Sequence, residues 1–134
     1  MKIQDLKELT SGLRKAYEAS MDADHPKYQL GAAIMLQGKK IVSTGANLQN
    51  KTHPYVFHNG FHFSRGIHAE LAAIFRVKNK ETLKGATIFV YRQTKNGDFA
   101  NARPCAMCYE LIKQYGFKKM VYTTDKGIVE EKVR

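Results

Sequence analysis

"GIHAELAAI", residues 66–74, and "RPCAMC", residues 103–108, decide how this chain is read. The first sets His68 and Glu70 two residues apart at the head of an apolar run, Leu71 to Ile74. The second holds the only two cysteines of the chain, Cys105 and Cys108, behind Pro104. Spaced i and i+3 at a helix start, both thiols point the same way. A disulfide between them would close a trivially small loop, so metal ligation or redox chemistry is the better use of the pair.

Working outward, both motifs open helices. Residues 68–78 carry helical spacing through Leu71, Ala72, Ile74, Phe75 and Lys78. "CAMCYELIKQYG" predicts a second helix that stops at Gly116, a C-cap residue. Between them "GATIFVYRQ" reads as a buried strand over about 86–92. Upstream, "QLGAAIMLQGKKIVSTGAN" predicts a hairpin with strands at about 30–36 and 40–46, joined at "QGKK". Residues 3–20 place Ile3, Leu6, Leu9, Leu13, Ala16 and Tyr17 on one face of an amphipathic helix. Downstream, "KKMVYTTDKGIVEEKVR" reads as a strand, a turn at "DKG" and a final strand at about 128–133. A parallel return would need a crossover of about a dozen residues or more. The last strand is therefore expected antiparallel.

The order is α-β-β-α-β-α-β-β. Two right-handed crossovers with helices on the sheet faces predict an α/β fold, a three-layer α/β/α sandwich around a mixed five-stranded sheet. At 134 residues and 43% hydrophobic, without linker or repeat, residues 1–134 read as a single domain. The charged N-terminus is neither signal peptide nor membrane span, and no run approaches the ~18 apolar residues of a spanning helix. The expected setting is cytoplasmic, with no membrane partner. Lys and Arg number 22 against 12 Asp and Glu, a net charge of +10. That excess favours anionic partners, but the charges are spread without a block, which weakens a nucleic-acid reading.

The motif residues fit zinc. A catalytic zinc takes three protein ligands from Cys, His and carboxylates and keeps the fourth position for water. His68, Cys105 and Cys108 supply three, and helix N-termini and the metal both favour thiolate. Two thiolates and a neutral imidazole leave the ion formally neutral and still able to acidify bound water. Glu70, two residues past His68, turns its carboxylate toward that water and is expected to be a proton shuttle and not a ligand.

H-A-E followed by P-C-x-x-C resembles the signature of zinc nucleobase deaminases. The chain resembles the cytidine/deoxycytidylate deaminase superfamily over roughly residues 30–122, since the element order matches as well. The resemblance implies a cytidine deaminase-like fold, one Zn2+ per chain and hydrolysis at the amidine carbon of the base. Glu70 would take a proton from water and return protons to the ring nitrogen and the departing ammonia. Backbone groups beside Ala69 and Cys105 would orient the amine and the attacking oxygen. Asn47, closing the second strand as "GAN", would bind sugar or base.

The segment "NLQNKTHPYVFHNGFHFSRG", residues 47–66, has no clean period, and loops this long are often functional. Its aromatics, among them Tyr55 and Phe61, could stack on a base. Lys51, His53 and Arg65, together with Arg103 before the Pro-Cys motif, are candidate phosphate contacts. His58 and His62, four apart, would be a weak second metal pair. Gly97, Asp98 and Asn101 lie in the approach loop to the cysteines. The short C-terminal form resembles deaminases of free bases and nucleosides, which often assemble as homo-oligomers, and the charge adds phosphate. The expected substrate is the cytosine of a free nucleoside or nucleotide, deoxycytidylate-like. The alternatives are cytosine or adenine in single-stranded DNA or RNA, and another small aminated heterocycle such as guanine.

Overall fold

The structure, a computed structural model, describes residues 11–23, 29–38, 40–47 and 68–134. In chain order these form α1 (Ser11–Ser20), β1 (Gln29–Met35), β2 (Ile41–Ala46), α2 (Ala69–Arg76), a 3-10 turn (Lys80–Leu83), β3 (Thr87–Gln93), α3 (Ala106–Gln114), β4 (Lys119–Thr124) and β5 (Gly127–Lys132). The sheet order is β2-β1-β3-β4-β5. β1 runs antiparallel to both β2 and β3, β3 and β4 are parallel, and β5 returns antiparallel on β4. The expected mixed five-stranded sheet with an antiparallel last strand is what forms.

Strand alternation builds the three layers. Ala32, Ile34, Ile88, Val90 and Met120 face a core shared with Leu71 and Ile74 of α2 and Met107 and Leu111 of α3. The intervening Ala33, Phe89, Tyr91 and Val121 face the other way, onto Leu13 and Ala16 of α1. One side of the sheet thus carries α1, the other α2 and α3. β2 and β3 are both antiparallel to β1 and hence parallel to each other. The helices that follow them, α2 and α3, lie on one face and begin at the same end of the sheet, where a site can form.

Local chemistry sets the element ends. α3 closes in a Schellman motif: Gly116 takes φ 80°, its N–H donates to Lys113 O at 3.1 Å, and Phe117 N–H donates to Ile112 O at 3.2 Å. This is the stop expected at Gly116. The β4–β5 turn is held by Thr124, whose Oγ1 accepts from Lys126 N–H at 3.1 Å and donates to Gly127 O at 2.9 Å. α2 is shorter than the spacing predicts. It ends at Arg76, Val77 turns extended, and Asn79 starts the 3-10 turn by accepting from Glu81 N–H at 3.1 Å. The cap side chain interrupts a pattern that hydrophobic spacing alone carried through Lys78.

Candidate active site

α2 and α3 present their N-termini to each other. His68 is the N-cap of α2 and Cys105 the N-cap of α3, both with extended backbone and neither using its side chain as a cap. The side chains turn instead into the gap between the helices. His68 Nδ1 lies 3.6 Å from Cys105 Sγ and 3.4 Å from Cys108 Sγ. The donor atoms of these three residues lie within 4.8 Å of one another, the one such group among the described residues. A tetrahedral zinc about 2.0–2.1 Å from nitrogen and about 2.3 Å from sulfur sets N and S about 3.6 Å apart. The observed spacings fit such an ion, which His68 would ligate through Nδ1.

The electrostatics fit it as well. The Cys108 S–H donating to Cys105 sulfur lowers the Cys105 thiol to about 4, with burial opposing and His68 adding to the shift. The same bond, then burial, raises Cys108 well above its ordinary value. The pair thus holds one proton between two sulfurs. His68 is raised, chiefly by its bond to Cys105, against burial. A divalent cation seated here would displace these protons and leave two thiolates and a neutral ring.

Glu70, in the first turn of α2, is 5% exposed. Burial raises its carboxyl pKa, against the pull of the His68 charge, its own backbone N–H and a hydrogen bond with Cys108. Glu70 is thus a buried carboxyl with a raised pKa beside the three donor atoms but outside their group.

Close packing holds α2 in place. A Cβ on Gly45 of β2 would lie 2.6 Å from Ala69 O and Ala73 N, so glycine alone admits the helix this close. Buried Ser43 donates to Ala73 O at 2.7 Å, and Arg76 Nη1 donates to Thr44 O at 2.8 Å. On the α3 side, Thr123 Oγ1 donates to Ala100 O at 2.9 Å, and Ala102 N–H donates to Thr123 O at 2.8 Å. Asn101 Oδ1 accepts from Arg103 N–H at 3.1 Å. Gly97 turns at φ 85° beside Asp98, whose carbonyl accepts from Thr94 N–H at 2.9 Å.

The substrate contacts expected from sequence divide. Ala69 opens α2 beside His68 and is buried. Asn47 is buried at the end of β2, where its Oδ1 accepts from Leu30 N–H at 3.0 Å and its own N–H donates to Leu30 O at 3.2 Å. Arg103 is engaged by Glu131, through Nε to Oε1 at 3.1 Å and Nη2 to Oε2 at 2.9 Å. Lys51, His53 and Arg65, the loop aromatics, and His58 and His62 lie outside the described residues. Sequence reasoning missed Glu131, Tyr122, Tyr109 and Thr123, which surround the cysteine loop; they belong to no local motif.

No curated protein matches the chain by sequence. Among solved structures, it is similar to a cytidine deaminase from Burkholderia pseudomallei at 19% identity and TM-score 0.64, covering 99% of this chain and 94% of that one. A cytidine deaminase from Mycobacterium leprae follows at 20% and TM-score 0.54, covering 97% and 94%. A dCMP deaminase from the cyanophage S-TIM5 also stands at 20% and TM-score 0.54, covering 91% and 84%. These likenesses concern the fold. Residues 6–124 match the family model described as the cytidine and deoxycytidylate deaminase zinc-binding region. A zinc-binding region over most of the chain, with one histidine and two cysteines gathered on paired helix starts, establishes that the chain belongs to the cytidine and deoxycytidylate deaminase family, zinc hydrolases acting on C–N bonds.

Proposed function

We propose that this chain deaminates the cytosine of a free nucleoside or nucleotide to uracil, with water consumed and ammonia released. The observation that carries the reading is the buried Glu70 carboxyl beside the convergent His68, Cys105 and Cys108. Zinc, when bound, supplies a Lewis acid that makes water nucleophilic at neutral pH. His68, Cys105 and Cys108 would hold it. Glu70 accepts a proton as water adds to C4 of the base and delivers it to N3. It then moves the proton of the new C4 hydroxyl to the amine, so that the C4–N bond breaks, ammonia leaves and C4 keeps the oxygen as a carbonyl. Burial suits this role, because it raises the carboxyl pKa and so favours taking up a proton.

The proposed contacts to the rest of the substrate are Asn47 and the backbone at Ala69 for sugar and base, and Lys51, His53 and Arg65 for phosphate. Arg103, which pairs with Glu131 at 2.9 Å, is a further proposed phosphate contact. Among the described residues no helix is long and apolar enough to cross a membrane, in keeping with the proposed cytoplasmic setting. Self-association is part of the proposal, since Ile128 and Val129 on the edge strand β5 are 45% and 37% exposed.

The test is kcat/KM for cytidine, dCMP and a cytosine-bearing single strand at two salt concentrations, for wild type and Arg65→Ala. A dCMP preference lost in Arg65→Ala by about 1–3 kcal/mol, with cytidine unchanged, supports the nucleotide reading. Turnover confined to the single strand, falling steeply with salt, would replace it with a polynucleotide deaminase. Ammonia release from guanine alone would move the substrate class altogether.

A further inference from the structure

β5 is an edge strand that buries little apolar surface, with Ile128, Val129 and Glu130 all exposed. Its inward-reaching polar residue is Glu131. That carboxylate receives the Arg103 guanidinium as a two-pronged pair, at 3.1 and 2.9 Å, and the Tyr122 hydroxyl at 2.8 Å. The Arg103 guanidinium also sits 5.5 Å over the ring of Tyr109, in α3. Tyr109 in turn exchanges hydrogen bonds with the Arg134 main chain, its hydroxyl donating at 3.3 Å and accepting from N–H at 3.2 Å.

Where this cluster lies gives it a purpose. The loop leading to Cys105 is pinned to the sheet at Ala100 and Ala102 by Thr123. Beyond Ala102 those pins stop: Arg103 N–H bonds locally to Asn101, and Pro104 has no N–H. The Arg103 side chain is the next tie to the sheet before Cys105. Lone exposed ion pairs contribute little, but a forked pair sharing its carboxylate with a tyrosine fixes geometry.

We propose that Glu131 is a positioning residue for the metal site: through Arg103 it clasps the Cys105 loop to β4 and β5 and so sets the retention of zinc by Cys105 and Cys108. The proposal rests on the zinc-deaminase reading but concerns how the ligands are held, not the reaction. It also gives the last strand a task in the site, although that strand supplies no ligand.

The experiment measures zinc release from the purified full chain to a chromophoric chelator, beside the visible spectrum of the Co2+-substituted protein. The variants are Glu131→Gln, Arg103→Ala, the charge swap Arg103→Glu/Glu131→Arg, and Glu130→Gln. The last is the control. Glu130, next to Glu131 on β5, pairs instead with Lys119 Nζ of β4 at 2.5 Å. Removing outer-shell support typically costs about 10–100-fold in metal affinity. Acting through one intervening residue, Glu131→Gln and Arg103→Ala are each expected to speed zinc release about threefold to tenfold and to alter the thiolate-to-cobalt band. Glu130→Gln is expected to do neither, and the swap to recover part of the loss. Wild-type release rates and spectra in both Glu131→Gln and Arg103→Ala overturn the clasp. Equal acceleration in Glu130→Gln overturns it too, reducing the effect to strand stability. A wild-type chain that binds no zinc overturns the metal reading itself, and this one with it.

Discussion

Gly45→Ala is the most direct probe of how the sheet places the histidine arm of the site. The added methyl would lie 2.6 Å from Ala69 O, 2.6 Å from Ala73 N and 2.8 Å from Ala72 Cβ. Two of these neighbours are helix backbone and cannot rotate away. Ordinary contact begins at 3.4 Å, so α2 must retreat by about 0.8 Å or β2 must bend. Overpacking of this kind costs about 1–3 kcal/mol. At roughly 3–5 °C per kcal/mol for a chain of this length, the melting temperature should fall by about 3–15 °C. The retreat carries His68 and Glu70 with it. A misplacement near 1 Å can cost about a hundredfold in rate, so kcat should fall well beyond the loss of folded protein. Gly38→Ala is the matched control, because nothing lies within 4 Å of a Cβ there. Calorimetry and ammonia release at saturating substrate, on both variants, make the comparison. A Gly45→Ala protein that melts and turns over like Gly38→Ala would refute the claim that close approach of α2 to β2 sets the site.

Elemental analysis should find one zinc per chain, largely lost in Cys105→Ala and in Cys108→Ala, since each removes one of three donor atoms. Glu70→Gln should keep zinc and fold, because the buried carboxyl is not in the donor group, while kcat drops by about 10²–10⁴; retained turnover would remove the shuttle. Zinc binding should release protons, mainly from Cys108 and His68, whose pKa values stand raised in the metal-free site; titration calorimetry in buffers of different ionisation enthalpy reads the number. The Arg103 hydrogen bond, with that of Tyr122, lowers the Glu131 pKa. Its contribution is therefore full above the ordinary carboxylate value of 4.5 and is lost as pH falls through the lowered folded value. The pair is half-exposed, so about 0.5–1 kcal/mol of acid-limb stability should vanish in Glu131→Gln in a pH series of denaturant melts.

Much of the fold was legible because its signals are local. Alternation in "TIFVYRQ", helical spacing in "AELAAIF" and the stop at Gly116 each depend on neighbours a few residues away. The Cys105–Cys108 spacing put both sulfurs on one helix face before any tertiary contact was known. The short turn at "DKG" fixed the direction of the last strand, since chain geometry allows no other return. The boundary of α2 was less legible, because Asn79 competes for the backbone in a way that hydrophobic spacing does not register.

What the sequence determined by itself was therefore the element order, the sheet's mixed character and the candidate metal group His68, Cys105 and Cys108, with Glu70 proposed beside it. Only the tertiary structure decided that the two helix starts converge to within 3.6 Å, because that depends on β2 and β3 flanking β1 in one sheet. It also gave Arg103 a partner within the chain. Read along the chain, that guanidinium is a candidate phosphate contact beside the cysteines. The structure brings Glu131, 28 residues further on, to within 2.9 Å. A pairing across strands leaves no mark in local spacing, because it is made by the register of β5 on β4, and a side chain's partner is decided where the strands meet.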